Sequence, residues 1–156
     1  MENSYDDYDY DIKYTLIGDK SVGKTKLIYR FEKDEYYEGS IATVGFNFIR
    51  KKLKIEDKMI RLSICDTSGG CKFSSFNIKG NSACVIFVYD IKDKKSFDNI
   101  PKYLENFQNN DNKPSLKVLV GNKVDDNENR QVKKEEGIQL AQKKKCYFLN
   151  LRLKRI

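Results

Sequence analysis

The chain has 156 residues, of which 39% are hydrophobic and 34% are charged, and its formal net charge is +7. This length fits one compact domain, and the composition excludes collagen-like and low-complexity proteins. The longest wholly apolar run, Ala83–Tyr89, is far shorter than the roughly 18 residues that a membrane-spanning helix needs. We therefore expect a soluble, cytoplasmic protein.

Charge and residue usage narrow the function classes. The chain has no histidine and its four cysteines form no C-x-x-C pair, so the usual zinc ligands and the commonest general base are missing. Residues 1–11 hold five acids and no base, which leaves 30 basic and 18 acidic residues in 12–156. We predict a mobile acidic tail over 1–11 and one domain over 12–156. The basic body is interpreted as a solvated lysine-rich surface without a nucleic-acid-binding motif.

Six segments have the apolar pattern of β-strands. In chain order they are Tyr10–Ile17, Gly45–Ile55, Met59–Cys65, Ala83–Asp90, Leu116–Gly121 and Cys146–Leu151. Helical spacing predicts helices at Thr25–Phe31, Phe97–Phe107 and Val132–Lys143. Ser96 is the expected N-cap of the second helix, although Pro101 moves its expected start toward Asn99–Ile100. A turn at Glu56–Lys58 predicts one antiparallel hairpin, and the remaining alternation predicts an α/β fold with a mostly parallel sheet and helices on both faces.

The strongest motif lies between the first strand and the first helix and has the pattern G-x-x-x-x-G-K-[ST]. Its residues are Gly18, Asp19, Lys20, Ser21, Val22, Gly23, Lys24 and Thr25. Loop amides and a helix N-terminus bind phosphate groups, a lysine in this place reaches the β and γ phosphates, and the hydroxyl ligates Mg²⁺. The motif therefore predicts a phosphate-binding loop.

Two further strand ends carry candidate residues. Asp66 ends the third strand, where a carboxylate can lie near Mg²⁺ as a second ligand. Asn122, Lys123 and Asp125 follow the fifth strand. The Asp125 carboxylate can accept two hydrogens from the N1 and N2 edge of guanine, and the Lys123 stem can pack over the ring. Adenine offers no such donor pair, so the predicted ligand is a guanine nucleotide.

These three elements, in this order, resemble the Ras-like small GTPases. Val44–Phe48, Val88–Asp90 and Ser96–Phe97 are similar to stretches of the Rab branch, and the resemblance covers roughly residues 12–148. It implies a P-loop fold and a switch that binds GTP or GDP with Mg²⁺, hydrolyses GTP and acts in vesicle trafficking or signalling. It also implies that Tyr36 packs on the guanine, that Thr43 completes the Mg²⁺ shell, and that Gly69 offers its amide to the γ-phosphate. The implied catalytic residues are Lys24, Thr43 and Gly69.

Departures from the family bear on turnover and partners. Gly70 stands where the family has the glutamine that orients the attacking water, so slow hydrolysis is expected. Effectors and exchange factors are expected to bind through Thr43–Phe48 and Asp66–Lys79. In this surface, Asn47 stands where the family usually has Asp, and Cys65 stands where it has Trp. These changes favour a divergent partner. The alternative function is a non-hydrolysing scaffold.

After Phe148 the resemblance stops abruptly, because Leu149–Leu153 stand where the family has an ExSAK-type loop. We expect a domain incomplete after about residue 148, lacking the final helix and the lipidated cysteine tail, with a truncated gene model as the alternative to a genuine C-terminus. One sheet face would then be partly uncovered. Basic residues alone give at most weak, reversible membrane contact, so endomembranes would be reached through a partner.

Overall fold

The computed structural model describes residues 7–35, 39, 46–67, 82–108 and 114–153. The strands within these ranges are β1 (Tyr10–Ile17), β2 (Phe46–Ile55), β3 (Lys58–Thr67), β4 (Cys84–Asp90), β5 (Leu116–Asn122) and β6 (Tyr147–Asn150). The helices are α1 (Lys24–Lys33), α2 (Lys94–Asp98), α3 (Ile100–Gln108) and α4 (Lys134–Lys144), and Asn127–Asn129 form a short 3₁₀ helix.

The six strands form one sheet in the order β2-β3-β1-β4-β5-β6. β2 runs antiparallel to β3 around the turn at Glu56–Asp57, and the other neighbours are parallel. This confirms the predicted mostly parallel α/β sheet with one antiparallel hairpin. Parallel strands bring their carboxyl ends to the same edge, where ligands of such sheets bind. The loops after β1, β3, β4, β5 and β6 therefore share one edge of the molecule.

The core lies on both faces of the sheet, as a parallel sheet requires. One cluster includes Ile17, Phe87 and Leu119, with Ile100 and Leu104 from α3, all essentially inaccessible to solvent. The other face packs Ile28 of α1 in a cluster with Leu62 and Ile64 of β3. Burying one side chain of this size stabilises the folded state by about 1.5–3 kcal/mol. Helices on both faces therefore fix the strand ends that carry the site.

The predicted helix Phe97–Phe107 is instead two helices, α2 and α3, separated by Asn99. Pro101 lacks a backbone N–H and is tolerated only in the first turn of a helix, so a new helix starts at Ile100, within the expected start at Asn99–Ile100. The prediction of Ser96 as N-cap is wrong: the Asp93 carboxylate accepts hydrogen bonds from the Lys95 and Ser96 amides. Ser96 is buried, and its hydroxyl accepts from the Asp90 amide.

No helix in the described ranges is long and apolar enough to cross a bilayer.

The predicted acidic tail overlaps the sheet. β1 begins at Tyr10, two residues inside the expected tail. Just before it, the Asp9 amide donates to the Met59 carbonyl at 2.7 Å, and the Asp9 carboxylate accepts from the Met59 amide at 2.7 Å. Asp11 forms an ion pair with Arg61 on β3, which lowers the pKa of the Asp11 carboxyl. Residues 9–11 thus belong to the folded domain.

β6, the edge strand beside β5, carries large apolar side chains toward solvent. Tyr147 is 69% exposed and Leu149 is 48% exposed. In the sheet register Tyr147 lies next to Val118 and Leu149 lies next to Val120, so both extend the apolar face of β5 outward. This edge is therefore an exposed apolar strip in the described part of the chain.

Candidate functional site

The loop between β1 and α1 wraps around the amino group of Lys24. Lys24 is only 5% exposed, and its Nζ donates to the carbonyl oxygens of Gly18 at 2.9 Å and of Asp19 at 2.8 Å. A buried ammonium needs such acceptors, because an uncompensated buried charge is very costly. The loop therefore holds one positive charge at the N-terminus of a helix, which is a favourable place for an anion.

Two glycines allow the loop to pass this close. A Cβ on Gly18 would lie 2.1 Å from the Val88 carbonyl oxygen of β4, so no side chain fits there. Gly23, the N-cap of α1, has φ +100°, a conformation that other residues rarely adopt. Other predicted residues of the loop differ in solvent exposure: Lys20 and Ser21 are exposed, whereas Val22 is buried.

Thr25 and Asp66 meet at the edge of the phosphate loop. The Thr25 hydroxyl donates to Asp66 Oδ2 at 2.5 Å, and Asp66 is 2% exposed at the end of β3. A hydroxyl oxygen and a carboxylate oxygen are the hard ligands that Mg²⁺ prefers. Mg²⁺ binds proteins through one or two such groups plus substrate phosphates, and the described residues include no cluster of three or more His, Cys, Asp or Glu side chains. The pair therefore fits Mg²⁺ held together with a phosphate ligand.

The loop after β5 is tied to the phosphate loop by two side chains. Asn122 Nδ2 donates to the Val22 carbonyl at 2.9 Å, and Lys123 Nζ donates to the Ser21 carbonyl at 2.8 Å. Lys123 also forms an ion pair with Asp90 at 2.6 Å. The Asp125 side chain is exposed. The structure thus brings Asn122 and Lys123 against the phosphate loop and leaves the Asp125 carboxylate accessible to a ligand.

The chain after β6 docks on this same loop. The Leu151 amide donates to the Gly121 carbonyl at 2.8 Å, and the Val124 amide donates to the Leu151 carbonyl at 3.2 Å. These contacts use backbone atoms and so do not depend on the ExSAK side chains that the sequence lacks. The backbone at residue 151 therefore lies beside the Asn122–Asp125 loop despite the altered sequence.

Tyr89, Gly121 and Asn150 form one row across β4, β5 and β6, because Tyr89 pairs with Gly121 and Gly121 pairs with Asn150. A Cβ on Gly121 would lie 2.5 Å from Asn150 Oδ1 and 2.8 Å from the Tyr89 hydroxyl. Tyr89 is fully buried, and burial raises the pKa of its hydroxyl to about 12. The absent side chain at Gly121 gives the two polar groups their space directly before the Asn122–Asp125 loop.

Sequence reasoning missed three residues that support the site. Asp90 pairs with Lys123, and Asn99 and Tyr103 both donate hydrogen bonds to the Asp19 carboxylate. Asp90 ends β4, so its position at the ligand edge was a usable signal. Asn99 lies directly before α3 and Tyr103 lies in its first turn, but no local pattern connects them to residue 19.

Several predicted site residues lie outside the described ranges. They are Tyr36, Thr43, Gly69 and Gly70. The proposed partner segments Thr43–Phe48 and Asp66–Lys79 are described only in part. Their roles remain predictions from the sequence.

A P-loop between a strand and a helix, at the carboxyl edge of a mostly parallel sheet, defines an α/β nucleotide-binding domain. The Ras family model matches residues 13–155. The chain is 40% identical over 146 residues to Ras-related protein Rab-11B of Dictyostelium discoideum, an alignment covering 92% of this chain and 66% of the relative. It is 38% identical over 136 residues to human Ras-related protein Rab-8B and to mouse Rab-8A, covering 86% of this chain and 66% of each relative.

This chain belongs to the Ras family and is a Ras-like small GTPase of the Rab branch. It spans 66% of the length of the curated relatives above. The resemblance read from its motifs is thereby confirmed.

Proposed function

We propose that the chain is a guanine-nucleotide switch of Rab type, which binds GTP and GDP with Mg²⁺, hydrolyses GTP slowly and acts in vesicle trafficking. The relatives are named Rab proteins, and the motifs for phosphate, metal and guanine occur in one chain. Effectors and exchange factors would read Thr43–Phe48 and Asp66–Lys79.

One observation carries the choice of ligand. Asn122 and Lys123 bind the backbone of the phosphate loop at 2.9 and 2.8 Å. The loop that carries the base-selecting carboxylate of Asp125 therefore has a fixed position relative to Lys24. A ligand that contacts both loops needs a phosphate group at one end and a hydrogen-bond donor pair at the other, as a guanine nucleotide has.

Different residues would bind the phosphates, the Mg²⁺ and the base of the nucleotide. The Lys24 ammonium, held by two carbonyl oxygens, offers positive charge to the β and γ phosphates, and loop amides supply further donors. Thr25 and Asp66 would hold Mg²⁺, which neutralises phosphate charge when it is bound with the nucleotide. Asp125 would accept the guanine N1 and N2 hydrogens. A ligand lacking the γ-phosphate would lose contacts, which is the basis of switching in such proteins.

Slow turnover is proposed from Gly70, which has no side chain to orient a water molecule. Gly70→Gln should therefore raise the single-turnover rate of GTP hydrolysis by roughly 10- to 100-fold, since oriented water is the main contribution of that glutamine. Nucleotide affinity should not change. An unchanged rate in a variant that still binds GTP would contradict this part of the proposal.

The whole proposal is tested by titrating purified chain with fluorescent GTP, GDP and ATP analogues in Mg²⁺, followed by phosphate release. We expect guanine-selective binding, weakened about 10- to 100-fold by Lys24→Met, the loss typical of a charge-assisted contact. Lys33→Met, an exposed lysine on the same helix, is the matched control. No selective nucleotide binding would refute the switch.

A scaffold that keeps nucleotide without turnover is the second candidate. Gly70 favours it, because glycine has no side chain to orient the attacking water. Guanine-selective binding with no phosphate release, even over many hours, would select the scaffold.

A further inference from the structure

We infer that Tyr103 and Asn99 position the phosphate loop through the Asp19 carboxylate, so that helix α3 sets the affinity for the nucleotide phosphates without touching the ligand. The inference rests on the proposed nucleotide-binding function. Tyr103 and Asn99 are positioning residues, because they act on the site through Asp19.

Both oxygens of the Asp19 carboxylate are held from α3 or its start. The Asn99 side-chain amide donates to Oδ2 at 2.7 Å, and the Tyr103 hydroxyl donates to Oδ1. These partners lie 80 and 84 residues from Asp19 in sequence. Hydrogen bonds to a carboxylate are roughly twice as strong as neutral ones. Burial, together with this carboxylate, raises the pKa of the Tyr103 hydroxyl.

Helix α3, which carries Tyr103, is held in place by the core. Ile100 and Leu104, on the same helix as Tyr103, are at most 1% exposed in the core beneath the sheet. Helix α3 therefore cannot follow the loop if the loop moves. The Asn99 amide and the Tyr103 hydroxyl therefore connect the phosphate loop to a helix whose position is fixed by the core.

The same residue continues the connection into the phosphate site. The Asp19 carbonyl accepts a hydrogen bond from Lys24 Nζ at 2.8 Å. Holding the Asp19 side chain thus also holds the acceptor that orients the ammonium. Releasing the carboxylate would let the Asp19 peptide rotate, and the charge facing the phosphates would lose its fixed position.

The test compares GDP with GMP, because a defect in the phosphate loop affects binding of the β-phosphate more than binding of the base. Tyr103→Phe and Asn99→Ala should each lower GDP affinity about tenfold, and lower GMP affinity much less. The ³¹P spectrum of bound GDP should shift at the β-phosphate. Tyr147→Phe, which removes an exposed hydroxyl from β6, is the matched control and should change neither affinity.

A second readout does not need nucleotide. In the ligand-free protein, backbone amides of residues 18–23 should exchange hydrogen faster in Tyr103→Phe and in Asn99→Ala than in the parent or in Tyr147→Phe. Unchanged exchange together with an equal loss of GDP and GMP affinity would overturn the inference and leave only a structural contact. If the parent binds no nucleotide, the proposed function fails, whereas faster exchange would still support the anchoring of the loop.

Discussion

At the scale of single residues, Gly121 leaves little room for a side chain directly before the Asn122–Asp125 loop. An added Cβ would lie 2.5 Å from Asn150 Oδ1 and 2.8 Å from the Tyr89 hydroxyl, so Gly121→Ala should destabilise the fold by about 1–3 kcal/mol. Chemical denaturation measures the loss. Combining it with Asn150→Ala should recover part of the stability. An additive double mutant would show that crowding by Asn150 is not the cause.

Asp125 should decide which base is bound. Its exposed carboxylate would accept hydrogens from both N1 and N2 of guanine, so inosine diphosphate, which lacks the 2-amino group, should bind about 10- to 100-fold more weakly than GDP. Asp125→Asn should remove this discrimination and weaken GDP binding, since an amide presents only one acceptor. Competition against a fluorescent GDP analogue measures both effects. Equal affinities of the parent for the two diphosphates would rule out this role.

At the scale of elements, an ion pair joins the starts of α2 and α4. Lys94 Nζ lies 2.6 Å from Glu136 Oε1, and Glu136 Oε2 accepts from the Lys133 amide at 2.8 Å. The hydrogen bond from Lys94 and that from the Lys133 backbone lower the pKa of the Glu136 carboxyl. The pair also raises the pKa of Lys94.

This pair predicts a pH dependence of stability. A carboxyl whose pKa is lower in the folded state adds stability above its unfolded pKa of about 4.3, and that stability is lost as the pH falls through the folded pKa. Glu136→Gln should therefore reduce the slope of unfolding free energy against pH between about pH 5 and pH 3. Both partners are partly exposed, so the effect should stay below about 1 kcal/mol. An identical slope in parent and variant would contradict it.

The elements themselves could largely be predicted from the sequence, because strand alternation and turn residues are local properties. β1 has the predicted bounds Tyr10–Ile17, and the other strands begin and end within two residues of expectation. The α2–α3 boundary was harder. Asp93, rather than the expected Ser96, caps α2, because the Asp93 side chain accepts from the Lys95 and Ser96 amides.

The candidate site was predictable where a motif is contiguous and not where it is assembled from distant parts. Lys24 and Thr25 lie within one motif, and their partners follow from it. The anchoring of Asp19 by Tyr103 depends on how α3 packs on the sheet, which no local pattern contains. The Lys123–Asp90 pair likewise requires two adjacent parallel strands to end together.

At the scale of the whole molecule, the apolar strip on β6 should affect behaviour in solution. Tyr147 and Leu149 are exposed on an edge strand, and exposed apolar edges favour association between chains. We expect concentration-dependent self-association, reduced in the double variant Tyr147→Lys and Leu149→Lys, with stability changed by no more than about 0.5 kcal/mol each. Analytical ultracentrifugation measures this. A parent chain that stays monomeric at all concentrations would contradict the expectation.

The row Tyr89, Gly121 and Asn150 also limits how this protein can change over generations. A side chain at position 121 conflicts at once with a hydroxyl from one neighbouring strand and an amide from the other. An alanine at 121 would require both neighbouring side chains to shift or to be shortened, since their polar ends would lie 2.5 and 2.8 Å from the new Cβ. Substitutions at the three positions should therefore be coupled, because a change at 150 or 89 alters the cost of a side chain at 121.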